Sequence, residues 1–267
     1  MQYIRIAFAL LLATLSLSLS AQRTLKECHV ALLGDSNTWL GGDDCSKDKG
    51  WNYWFVLEAH PASCRSYARS GATWTHTPQT MADTLENTGS IGDNNVIFNQ
   101  VLRLIGAVEN GSQPTPDLII IACGTNDAWF NDRRPQAFTL STSAAFEQPD
   151  SVFMLRTEAE LLTLTECVRF DCRMLQEAFP ESRLLLITPL QTIKASDTKI
   201  KQTGDLIAQC AERLGAHVLR WDTESPIVSS QERTRKKYTY DGTHTNKLGA
   251  KKLGQLTARF VNDNMLP

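Results

Sequence analysis

His29-Val30-Ala31-Leu32-Leu33-Gly34-Asp35-Ser36-Asn37 is a run of apolar residues that stops at a glycine and then presents an acid, a hydroxyl and an amide. A short continuous apolar run bounded by a turn signal reads as a buried strand. The pattern returns at Asp117-Leu118-Ile119-Ile120-Ile121-Ala122-Cys123, followed by Gly124-Thr125-Asn126-Asp127. Working outward, strands are expected at 28–33, 63–68, 117–123, 183–188 and 217–221. Helices are expected at 50–59, 96–109, 155–178, 198–214 and 246–263. In the last of these Leu248, Leu253, Leu256 and Phe260 recur at helical spacing. Strand and helix alternate throughout, which predicts an α/β fold with a five-stranded, mostly parallel sheet covered on both faces. The expected strand order is 2-1-3-4-5. In open sheets of this kind ligands sit beyond the carboxyl ends of the strands, where Ser36, Gly71 and Asn126 all fall.

The residues at those strand ends carry a specific chemistry. A serine hydroxyl is a weak nucleophile at neutral pH and needs an adjacent base. His244, in Asp241-Gly242-Thr243-His244, is the candidate base, because imidazole titrates nearest physiological pH. Asp241 lies three residues earlier and can orient the ring. An oxyanion formed at an acyl carbon needs fixed donors. Candidates are the backbone N–H of Ser36, the backbone N–H of Gly71 in Ser70-Gly71-Ala72, and the side-chain amide of Asn126. The chain has no Gly-x-Ser-x-Gly nucleophile elbow, no Gly-x-Gly-x-x-Gly and no P-loop pattern. Asp35 and Asp127 are expected to brace the loops beside Ser36 and Asn126.

These four blocks, in this order, resemble the SGNH hydrolases, the GDSL-type esterase/lipase superfamily. The family's Ser, Gly, Asn and His match Ser36, Gly71, Asn126 and His244, and the Asp of its Asp-x-x-His block matches Asp241. The resemblance covers the chain from about Cys28 to Phe260. One departure is Asn37, where the family's other name has leucine. The resemblance implies a three-layer α/β/α sandwich of flavodoxin-like type, hydrolysis of esters, and no metal or organic cofactor.

Composition narrows the setting. The chain has 267 residues, 42% hydrophobic and 21% charged, with a formal net charge of −2. That suits one domain with a sizeable core and offers no basic face for nucleic acid. Arg5 precedes an apolar stretch from Ile6 to Leu15 that runs into Ser16-Leu17-Ser18-Leu19-Ser20-Ala21. Residues 1–21 therefore read as a secretory signal peptide, too short for a stable membrane span, and 22–267 as a single secreted or periplasmic hydrolase domain. Seven cysteines cannot all pair within one chain. Cys45 and Cys64, flanking one helix, are the candidate bridge. Cys28 and Cys123 are expected as buried thiols, Cys167 and Cys172 on different faces of a helix, and no zinc spacing occurs.

Three tryptophans, Trp39, Trp74 and Trp129, each follow a site residue by three positions. Trp74, Trp129 and His76 are candidate substrate contacts, with packing as the alternative, and packing is expected for Trp39. Residues 129–155 read as a loop insertion beside Asn126, either a substrate flap or a surface excursion. Its Arg133 and Arg134 read as a solvated pair, with contact to an acidic sugar or phosphate as the alternative. The expected function is removal of short acyl groups such as acetyl from carbohydrate, with a small-molecule or oligosaccharide ester as partner. The alternatives are a lipase or lysophospholipase, and a non-catalytic carbohydrate-binding protein on the same scaffold.

Overall fold

A computed structural model describes residues 24–85 and 91–265. The expected signal segment, 1–21, lies outside the described residues. The chain runs β1 (His29–Gly34), α1 (Ser36–Trp39), α2 (Trp51–Ala59), β2 (Ser63–Ser66), α3 (Ile97–Glu109), β3 (Leu118–Ala122), α4 (Thr125–Trp129), α5 (Leu164–Ala178), β4 (Arg183–Ile187), α6 (Asp197–Leu214), β5 (His217–Leu219) and α7 (Lys247–Asn264), with shorter turns between. The five strands form one sheet in the order β2-β1-β3-β4-β5, and every pairing is parallel. The expected order is therefore found, and the sheet is wholly parallel.

Alternation along the strands builds two cores, because successive side chains leave opposite faces. Val30, Leu32, Leu118, Ile120, Leu185 and Ile187 pack with Trp51 and Phe55 of α2 and Leu253 and Val261 of α7. Ala31, Leu33, Ile119, Ile121, Leu184 and Leu186 pack with α3, α5 and α6 through residues such as Ile97, Val168 and Ile207. The three central strands β1, β3 and β4 are buried on both faces and read as continuous apolar runs, whereas the edge strand β2, Ser63–Ser66, is only partly buried. Full burial of each such side chain stabilises the fold by roughly 1.5–3 kcal/mol, so both layers of helices are held firmly.

The chain leaves β1 toward β2 on one side and later returns to β3 on the other. This switch of direction opens a crevice at the carboxyl ends of β1 and β3. Gly34 closes β1 where the backbone comes too near for a side chain: a Cβ there would lie 2.5 Å from the Ala122 carbonyl oxygen of β3. The Gln100 side chain of α3 accepts from the Gly34 N–H at 2.8 Å and donates to its carbonyl at 2.9 Å. The strand end is thus fixed before the chain turns into Asp35 and Ser36.

Several expected boundaries move. The helix expected at 155–178 begins at Leu164, because Thr163 caps it, accepting from the Glu166 N–H. The strand expected at 217–221 ends at Leu219, and Trp221 starts a helical turn. Segment 129–155 folds into single turns tied to α5 by the buried Arg169. Its guanidinium donates to the Ala145 carbonyl at 2.6 Å and the Gln148 carbonyl at 2.7 Å, and lies 3.9 Å from the Phe153 ring centroid. Arg133 is exposed, whereas Arg134 is buried, so the two are not a solvated pair. Cys45 and Cys64 come together with their sulfurs 3.5 Å apart, but both are free thiols, not the expected bridge. Cys167 and Cys172 enter different clusters, as their spacing on a helix requires.

Candidate active site

Ser36 is the first residue of α1, directly past β1. Its neighbour Asp35 caps the helix, accepting from the Asn37 N–H at 3.1 Å. At this first turn the helix leaves N–H groups unsatisfied, and the Ser36 N–H has no acceptor among the described residues. Gly71 follows β2 with φ of +82°, a left-handed conformation that glycine adopts without strain. Asn126, in the first turn of α4 past β3, donates through Nδ2 to the Ala72 carbonyl at 2.8 Å. A primary amide has two donors, so this bond holds Asn126 in place and leaves one N–H for another acceptor. Asp127 joins the same two loops from the other side. Its carboxylate accepts from the Trp74 N–H at 3.1 Å, the Thr75 N–H at 2.9 Å and the Thr75 hydroxyl at 2.8 Å.

His244 comes from the loop before α7. Its Nδ1 lies 2.7 Å from Asp241 Oδ2, while Asp241 Oδ1 accepts the N–H groups of Thr243 at 2.9 Å and His244 at 2.8 Å. Burial works against the charge of Asp241. The bonds from the His244 ring and from both backbone N–H groups outweigh that penalty and hold its carboxyl below the usual range. With Nδ1 occupied by the carboxylate, Nε2 is the free ring nitrogen. Asn37 brings this loop to Ser36. Its Oδ1 accepts from the Thr245 N–H at 3.0 Å and its Nδ2 reaches the Thr243 carbonyl at 3.4 Å, so it holds both residues flanking His244. Ser36 Oγ itself makes no hydrogen bond to His244 among the described residues, a looseness common before substrate tightens a site.

The chain matches one family over most of its length: the GDSL-like lipase/acylhydrolase family, over residues 32–252. The chain belongs to that family. As a GDSL-like acylhydrolase it is an ester-cleaving enzyme. Similar solved structures include a protein from Lactobacillus plantarum, with a TM-score of 0.60, 15% identity and coverage of 91% of this chain and 100% of that one. A GDSL-like lipase candidate from Bacteroides uniformis gives 0.56 at 18% identity, covering 89% and 96%. A lipase/acylhydrolase from Enterococcus faecalis gives 0.53 at 17%, covering 90% and 97%. At these identities the likeness is one of fold. No curated protein matches the chain.

The remaining residues of this GDSL-like protein divide by burial. Trp74 is fully enclosed in the core beneath the Gly71 loop, and His76 is 1% exposed, with Nδ1 bonded to the Glu158 carbonyl at 2.9 Å. Burial pushes the His76 ring down to about 4. Neither reaches the surface as a substrate contact would, because the Asp127 carboxylate draws that loop inward. Trp129 is half-buried and stacked on Phe130 at 4.6 Å. Trp39, expected to pack, is instead 43% exposed.

Asn37 carries more than its reading as a mere departure suggested; the cue was an amide where an apolar side chain is usual. Tyr240, 56% exposed, stacks on the His244 ring with centroids 5.6 Å apart and planes 15° apart. Nothing in its sequence position signalled that contact. Among the described residues no group of His, Cys, Asp and Glu is arranged to hold a metal, and no helix is long and apolar enough to cross a membrane.

Proposed function

We propose that the protein is a secreted serine ester hydrolase that removes short acyl groups, such as acetyl, from carbohydrate. The observation that carries this reading is the Asp241–His244 bond of 2.7 Å on a loop clasped to the Ser36 turn by Asn37. Ser36 Oγ attacks the ester carbonyl carbon while its proton passes to His244 Nε2, and the charge on the imidazolium is balanced by Asp241. The N–H groups of Ser36 and Gly71 and the free N–H of Asn126 Nδ2 stabilise the oxyanion. Collapse breaks the bond to the alcohol oxygen, which takes the proton from His244. Water, deprotonated by the same nitrogen, then releases the acid from Ser36 and restores the hydroxyl.

The choice of a carbohydrate ester is supported by a hollow walled by Trp39, three residues after Ser36 on α1, and lined further by Leu40, Asp43, Asp44, Lys47, Lys49 and Arg69. A long apolar chain seated there would desolvate the charged groups at a cost. Secretion rests on the reading of the 1–21 segment as a signal peptide. Initial rates on p-nitrophenyl acetate, butyrate and palmitate test the reading, with Ser36→Ala as control. Acetate should be cleaved fastest, and the variant should lose at least about 10³-fold. Activity that survives Ser36→Ala, or a preference for palmitate, would overturn it.

A further inference from the structure

Trp39 is, with Tyr240, one of two large aromatics that the fold leaves in solvent among the described residues. It sits three positions after Ser36 on α1, a spacing that puts both side chains on one face of a helix. A tryptophan buries more apolar area than almost any other side chain, and leaving one 43% exposed forgoes that gain. The indole forms one wall of a hollow of about 570 Å³, whose other walls are Leu40, Gly42, Asp43, Asp44, Ser46, Lys47, Lys49 and Arg69. A second hollow of about 440 Å³ shares Asp43 and Arg69 with the first and continues past Arg65, Tyr67 and Arg103. The two adjoin at Asp43 and Arg69 to form a trench, which meets the helix of Ser36 at Trp39.

The lining selects the chemistry of an occupant. Arg69 and Asp43 are paired at 2.9 Å, and the Asp44 carboxylate is occupied by the Ser46 N–H and hydroxyl, so much of the lining charge is internally compensated. Lys47 and Lys49 add two further charges beside the apolar faces of Trp39 and Leu40. An acyl chain would strip water from those charges. A polyhydroxylated ring meets both demands, with hydroxyls at its rim for the charged groups and a C–H face for the indole. The trench is also far larger than an acetyl group requires. Its near wall is tied to the base's side of the site, where the alcohol must leave, because the Thr245 hydroxyl donates to the Lys49 carbonyl at 3.3 Å and Lys247 pairs with Asp48 at 2.8 Å.

We propose that this trench binds the carbohydrate portion of the ester, with Trp39 as the stacking platform for the sugar nearest Ser36 and the Asp43–Arg69 step holding the next. The inference rests on the ester hydrolase reading and names where its substrate lies. The test compares wild type, Trp39→Ala and Trp39→Phe on acetylated xylotetraose and on p-nitrophenyl acetate, with binding of acetylated xylotetraose to Ser36→Ala and to Ser36→Ala/Trp39→Ala measured by calorimetry. Trp39→Ala should raise KM for the oligosaccharide at least fivefold with kcat little changed. The ratio of its kcat/KM on oligosaccharide to that on p-nitrophenyl acetate should fall about tenfold, and Trp39→Phe should recover most of the ratio. Equal losses on both substrates would make Trp39 a packing residue and overturn the proposal. So would an unchanged ratio, or equal calorimetric affinity with and without the indole. Absence of Ser36-dependent hydrolysis on either ester, with Trp39-dependent binding retained, would overturn the hydrolase reading and leave the carbohydrate trench standing.

Discussion

Asn37 joins the two ends of the chain: its amide meets Thr243 and Thr245, partners more than 200 residues away in sequence. Leucine there would supply neither bond and would leave the buried Thr245 N–H unpaired, at a cost of about 1–3 kcal/mol. Asn37→Leu is therefore expected to lower stability by that amount in urea denaturation and to reduce kcat more than KM rises, because the His244 loop loses its link to Ser36. Equal stability and kcat would show that the clasp is dispensable. Asp241→Asn tests the other half of the same arrangement. The amide can still touch the ring but cannot balance an imidazolium, so kcat is expected to fall about 10²–10⁴-fold with KM changed far less. Ser36, Gly71, Asn126, Asp241 and His244 stand out in the sequence as candidates because each sits in a short block at a strand end or a turn. Asn37 was visible only as an oddity, since its value depends on partners that only the fold brings near.

At the scale of elements, sequence and structure agree most closely where one signal acts alone and part where two compete. Residues 155–178 carry helical spacing throughout, yet the region contains two capping boxes in tandem, Thr157 with Glu160 and Thr163 with Glu166. The first closes a single 3-10 turn, Glu158–Glu160, and the second starts α5. Arg156 seals the junction by donating to Glu166 Oε1 and the Glu160 carbonyl, each at 2.5 Å. Periodicity alone could not rank the two starts, although both boxes are written in the sequence. Thr163→Ala should cost about 1 kcal/mol in global stability, as the loss of an N-cap side chain generally does. A cost near zero in urea denaturation would mean that tertiary packing, rather than the cap, sets the start of α5. The central strands β1, β3 and β4 were legible for the opposite reason: with both faces buried, the apolar run has no competing pattern, and their ends moved by one residue at most.

For the whole molecule, two buried groups pull the pH dependence of folding in opposite directions. Burial raises the Asp35 carboxyl from 3.8 to about 6, against hydrogen bonds from Asn37 and Thr125 and the charge of His244. Between those values the native state holds a proton that the unfolded chain has released, so this group makes the fold less stable as pH rises from about 4 to 6. Burial lowers His76 from 6.5 to about 4. Between those values the unfolded chain binds the proton and the native state does not, so this group makes the fold more stable as pH rises over nearly the same window. Each effect is on the order of 3 kcal/mol, so the two offset one another in the wild type. Comparing each variant with wild type at every pH removes contributions common to the two, including that of Asp171, whose buried carboxyl is raised by desolvation and acts with the sign of Asp35. Asp35→Asn should therefore gain stability relative to wild type as pH goes from 4 to 6. His76→Gln, which can still donate to the Glu158 carbonyl, should lose its relative advantage over the same rise. Urea denaturation of the three proteins at pH 4, 5, 6 and 7 checks both slopes. Parallel curves for His76→Gln and wild type would show that His76 takes up its proton inside the fold as readily as in the unfolded chain. That would mean water reaches a ring the packing encloses, and the loop from Gly71 to His76 would then be far less firmly seated than the Asp127 bonds require.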